Sequence, residues 1–221
     1  MLRAMQIPVR TAGAVTLALA LLAVPPAAAG DFQVVIRVYD LATGDVTGRA
    51  AAMRAAADAI ASAGLTVTWR DCSRGGADHP CRTVRRDGDL VVRIMPVAAS
   101  ESDGEDVQLG FAPIDPAGRP TVIATVYYDV VQRVAHRTGL NASELLGRAM
   151  AHEIGHLLLR APGHAPTGLM RPLWTDAELM QNRPGDWTFS DSERRQVQAT
   201  GREPDANESA GTSFNSETLG R

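Results

Sequence analysis

The sequence contains no lysine, so all 22 of its basic side chains are arginines, set against 25 acids and a formal net charge of −3 at pH 7. Alanine is abundant, and together these biases read as genomic base composition rather than as function. Mild acidity argues against nucleic acid as a partner. Cysteine is nearly missing too: Cys72 and Cys81 are the only two, so no more than one disulfide can form. No internal repeat is visible. Past the first 29 residues, no stretch approaches the roughly 20 apolar residues that a transmembrane helix requires.

Those first residues form a unit of their own. Arg3 and Arg10 precede an apolar run from Ala12 to Val24, which ends in Pro25, Pro26 and Ala27-Ala28-Ala29. That order predicts a secretory signal peptide over 1–29 with an A-x-A-type cleavage site, and a mature chain that is extracellular or periplasmic and free of the membrane once the leader is cut. Removing the leader removes two arginines and no acid, which takes the net charge to −5. Residues 30–200 suit one catalytic domain, expected to be a monomer, and the polar tail 201–221 is expected to be disordered. An exported chain with one close cysteine pair is expected to bridge Cys72 to Cys81. The alternative is a second metal site using His79, which lies between them, with both thiolates.

Periodicity organises the rest. Phe32–Tyr39 is β-rich and reads as a first strand, Thr47–Ala63 as an alanine-rich helix stopped by Gly64, and Leu65–Arg70 and Asp89–Pro96 as two more strands. Ala98–Gln108 is acidic, either a solvated loop or a calcium loop, and Arg82, Arg85 and Arg86 form either a solvated face or an anion patch. Leu109–Ile114 is a short edge strand, because Pro113 cannot donate to a ladder. Thr121–Tyr128 is a further strand, and a helix follows over Asp129–Arg137. Asn141 or Ser143 then caps the next helix, with Glu144 in its first turn. A short helix over Asp176–Gln181 and a last one opening at Ser190, with Glu193 completing a capping box, finish the domain.

The helix after Asn141 carries the chemistry. Residues 152–156 read His-Glu-Ile-Gly-His. On a helix the two histidines lie one turn apart on the same face, where both imidazoles reach one ion, while Glu153 sits beside it without having to bind it. Zinc in catalytic sites takes three protein ligands and leaves a position for water, whose pKa it lowers toward about 7. A neighbouring carboxylate then serves as general base, the role assigned to Glu153. Gly155 weakens an exposed helix by roughly 1 kcal/mol relative to Ala, which close packing against another segment would explain.

The run from His152 to His164, followed by Gly168-Leu169-Met170-Arg171-Pro172, resembles the metzincin clan of zinc peptidases, in particular its matrixin-like members. The resemblance implies an α+β, zincin-like fold: a twisted, mixed five-stranded sheet packed on an active-site helix, with a C-terminal helix behind. It further implies Zn2+ held by His152, His156 and His164, a Met-turn at Met170 forming the apolar floor, and a peptide or protein substrate laid along an edge strand, for which Gly110–Ile114 is the candidate. The chain departs from the family pattern in two places. Leu159 stands where the pattern has glycine, and the third histidine comes two residues late. Leu159 prolongs the helix, which Pro162 should end near Arg160 or Ala161, and Pro162-Gly163 offers a type II turn with Gly163 at positive φ.

Two rivals follow from the same residues. Glu178 could replace His164 as third ligand, which changes one donor and keeps the chemistry. Alternatively, the chain is a secreted zinc-stabilised binding protein whose site is structural or degenerate. No pro-segment or cysteine switch is recognisable.

Overall fold

Strands rich in β-branched residues alternate with an alanine-rich helix, and this alternation produces parallel pairing in the first half of the chain. In the computed structural model the described residues are 32–73, 80–83, 85–86, 88–96, 108–115 and 121–200. The expected leader 1–29, the C-terminal tail, His79 and the acidic segment 98–107 lie outside them. Strand β1 (Phe32–Asp40) leads through helix α1 (Val46–Ala61) to β2 (Leu65–Asp71), and β3 (Leu90–Met95) follows. Both β2 and β3 pair with β1 in parallel. Strand β5 (Ile123–Tyr127) pairs in parallel with β3, and β4 (Gly110–Phe111) runs antiparallel to β5. The sheet order is β2-β1-β3-β5-β4, so β4 forms one edge.

That edge strand is shorter than the Leu109–Ile114 run suggested: only Gly110 and Phe111 pair, with Val126 and Thr125. Pro113 has no N–H to extend the ladder.

Alternation along β1, β3 and β5 turns Ile36, Val38, Val92, Ile94, Ala124 and Val126 into one buried layer. Ala52, Ala56 and Ile60 of α1 and Leu145, Leu146, Met150 and Ile154 of the long helix α3 (Ala142–Leu159) join them in a single core. Helix α2 (Tyr128–Thr138) precedes α3, and α4 (Asp176–Gln181) and α5 (Asp191–Thr200) follow it. The architecture is α+β and zincin-like, with a mixed five-stranded sheet over the helix that bears His152 and His156. Buried arginines tie the strand ends together. Arg49 of α1 reaches Asp40 at 2.7 Å and Asp71 at 2.9 Å, and Arg37 meets Asp89 at 3.0 Å. Cys72 and Cys81 are joined in a disulfide with Cα atoms 5.6 Å apart. Both sulfurs are thereby committed, which removes the thiolates that the alternative metal site with His79 requires.

Candidate metal centre

Helix α3 opens at Asn141, whose side chain accepts from the N–H groups of Ser143 and Glu144 at 2.9 and 3.1 Å. Such a cap satisfies donors that the first turn leaves without partners. The helix is buried along nearly its whole length, so its second half sits rigidly beneath the sheet.

His152 and His156 come to the same face, as their spacing requires. His152 Nδ1 lies 2.8 Å from the carbonyl oxygen of Leu169, and His156 Nδ1 lies 3.0 Å from that of Ala161. A carbonyl can only accept, so each Nδ1 carries the proton and each Nε2 presents a lone pair. This is how metal-binding imidazoles are commonly oriented. The His152 pKa is lowered from its usual 6.5 to about 4, chiefly by burial, with the hydrogen bond to Leu169 opposing and the neighbouring His156 and His164 adding to the shift. Burial likewise lowers that of His156. Neutral imidazoles are the form that binds metal.

The third histidine arrives by a different turn from the one expected. Helix α3 ends at Leu159, and Arg160 takes the left-handed conformation (φ 50°, ψ 36°) with its N–H donating to the His156 carbonyl. Gly163 is not among the positive-φ residues. A left-handed residue at the C-cap reverses the chain directly, so the turn at Pro162-Gly163 is not needed for it. His164 then meets His152 and His156 with ring centroids 5.4 and 4.8 Å away, and ligand atoms of the three histidines all lie within 4.8 Å of one another.

Glu178, the rival ligand, points elsewhere. Its Oε1 accepts from Arg171 at 2.5 Å, and its Oε2 accepts from the N–H and hydroxyl of Thr175 at 2.9 and 2.7 Å.

Met170 is fully buried and packs on Gly155, where a Cβ would collide with its sulfur and approach its Cε and Phe189 Cε1 at 3.0 Å. That accounts for a glycine inside the helix. Glu153 is 7% exposed, and burial pushes its carboxyl up to about 8. Its side chain lies against Gly110 of β4, where a Cβ would come within 2.7 Å of both Cγ and Oε1. The role of Gly110 was not read from the sequence, although a glycine inside a strand can signal close approach of another group.

Trp174, also unassigned from the sequence, stands edge-on to His152 with centroids 5.6 Å apart and is itself met edge-on by Trp187. No spacing rule pointed to it. Trp174 borders a cleft of about 970 Å³. Gln108–Ala112, Arg171–Asp176 and Leu179 line it together with His152, Glu153, His156 and His164. Tyr127, Tyr128 and His136 do not line it.

A mixed sheet over a helix bearing His152, Glu153 and His156, with a third imidazole returned to it, defines the fold of a zinc metallopeptidase. The solved structures that share it include archaemetzincin from Methanopyrus kandleri, at a TM-score of 0.50 and 15% identity over 76% of this chain and 96% of that one. A zinc-dependent peptidase from Methanocorpusculum labreanum (strain Z) superposes with a TM-score of 0.48 and 17% identity over 73% of this chain and 99% of that one. At 15% identity, the likeness to archaemetzincin establishes the fold. No family model and no curated protein matches the sequence. The donor set, three imidazoles with two Nδ1 atoms already engaged, fits Zn2+.

Proposed function

We propose that the chain is a secreted zinc-dependent endopeptidase of the metzincin type, with His152, His156 and His164 as ligands, Glu153 as general base and Met170 as the Met-turn residue. The observation that carries the reading is the convergence of three imidazoles beside a buried carboxylate in an open cleft. Bound there, zinc would supply Lewis acidity toward a scissile carbonyl and a lowered pKa for water. Glu153 takes the proton from the attacking water and returns it to the leaving amine. Burial raises the Glu153 carboxyl to about 8, and a cation bound beside it would favour the ionised form that a general base requires.

Among the described residues strand β4 bonds to β5 on one side only, which leaves its other edge to pair with an extended peptide along the cleft. Phe111 and Leu173, 49% and 55% exposed in the cleft lining, offer apolar contact to its side chains. The leader over 1–29 and the disulfide support export and an oxidising compartment. Among the described residues no helix is long and apolar enough to cross a membrane.

The test is Glu153→Gln assayed with a peptide library. Turnover should fall by a factor of about 10² to 10⁴, as expected for loss of a general base, while zinc content stays at that of the wild type. Turnover at the wild-type rate would remove Glu153 from the reaction. Wild-type protein that holds zinc and cleaves nothing would favour the binding-protein reading instead.

A further inference from the structure

Consecutive carbonyls in the turn Gly168–Arg171 hold one imidazole and the backbone beside a second. The Leu169 oxygen accepts from His152 Nδ1 at 2.8 Å, and the Met170 oxygen accepts at 2.8 Å from the N–H of Ala165, the residue after His164. A small rotation of this turn would therefore move two ligands at once. On its N-terminal side the turn is pinned where the Leu169 N–H donates to the Thr188 carbonyl at 2.9 Å.

On its C-terminal side stands Arg171. Its side chain is 7% exposed, Nη1 donates to Glu178 Oε1 at 2.5 Å, and Nη2 lies 3.4 Å from Asp186 Oδ1. Glu178 is itself fixed by the capping box with Thr175 at the start of α4. Burying a guanidinium is costly even when acids compensate it, and its return is a defined geometry more than stability.

The geometry points to Arg171 as a positioning residue for the zinc site: bonded to Glu178 and lying close to Asp186, it anchors the C-terminal end of the turn that carries the Leu169 and Met170 carbonyls and, through them, His152 and the backbone beside His164. The inference rests on the zinc-site reading and not on peptide cleavage. Groups that orient metal ligands typically change metal affinity by about 10–100-fold when removed.

The experiment compares wild type, Arg171→Met, Arg171→Lys and, as a control, Val197→Ala, which opens the core at α5 away from the site. Zinc Kd is measured by competition with a chromophoric chelator, and the ligand-field absorption of the cobalt-substituted proteins is recorded alongside thermal midpoints. Arg171→Met should weaken zinc by about 10–100-fold and shift the cobalt bands. Arg171→Lys, which keeps the charge but loses the planar fork, should fall between it and wild type. Val197→Ala should lower the midpoint with Kd and spectrum unchanged.

If Arg171→Met does not fold, Arg171→Lys decides: zinc Kd within twofold of wild type and a superimposable cobalt spectrum overturn the inference. Wild-type protein that takes up no zinc overturns both this inference and the proposed function. Wild-type protein that binds zinc but cleaves no peptide overturns the proposed function alone, and the zinc Kd of the Arg171 variants still decides the role of the arginine.

Discussion

Gly110 and Arg160 show how single residues serve this site by what their backbones do. At Gly110 the missing side chain is the point, since the space is taken by the Glu153 carboxylate. Gly110→Ala should push that carboxylate out of place and cut turnover by about 10², the scale of an ångström-sized misplacement, with zinc content unchanged. Peptide cleavage at the wild-type rate would show that Glu153 tolerates the displacement. Arg160 holds φ 50° at the end of α3, a conformation that costs a non-glycine residue about 1–2 kcal/mol. Arg160→Gly relieves this and returns part of the gain to the unfolded chain, so a net stabilisation of up to about 1 kcal/mol is expected in urea melts. A loss of stability would mean that contacts of the Arg160 side chain outweigh the strain. The residue pattern announced His152, Glu153 and His156, because helical geometry fixes what lies one turn apart. It placed the end of that helix near Arg160 or Ala161 but not the left-handed turn at Arg160, because left-handed caps favour glycine and the turn was expected at Gly163.

At the level of elements, α3 buries ionisable groups whose titration sets the pH response of the metal-free chain. His152 and His156 have lowered pKa values in the fold, so the unfolded chain takes up protons first, and stability falls as pH drops below about 6.5 toward 4. Glu153 has a raised pKa, so the unfolded chain ionises first, and stability falls as pH rises from about 4.5 to about 8. Between 4.5 and 6.5 two histidines oppose one carboxyl, which leaves a maximum near pH 6.5. Urea melts of the chelated protein across this range should show it, and Glu153→Gln should flatten the alkaline limb. An alkaline limb that persists in that variant would assign it to another group. Helix α5 was legible from its Ser190 capping box. That Gln196 on α5 donates to the Leu159 carbonyl at 2.8 Å, satisfying the end of α3, was not, because the two residues meet only after the chain has folded back.

Across the whole molecule, zinc would add to the contacts that already join α3, the loop bearing His164 and the turn before α4. Ligand binding to the native state alone stabilises by about 4 kcal/mol at a thousandfold excess over Kd. Chelation should accordingly lower the thermal midpoint and abolish cleavage together, and added zinc should restore both. A midpoint indifferent to chelator would place the ion outside the folded core. The disulfide and the buried Arg49 and Arg37 ion pairs lie at the strand ends, so the sheet should retain its order when the metal is removed.

Elements with a clear period and motifs confined to one helix were determined by the sequence alone, since their geometry depends on neighbours a few residues away. So were the order of strands and helices and the paired imidazoles, whereas the choice between Asn141 and Ser143 as the cap of α3 came from the structure. Tertiary structure alone decided which turn brings His164 back, that Gly110 lies against Glu153, and that Glu178 bonds to Arg171 and Thr175. Each of these depends on contacts between distant segments, where burial and hydrogen bonding outweigh local preference, and no spacing along the chain encodes that balance.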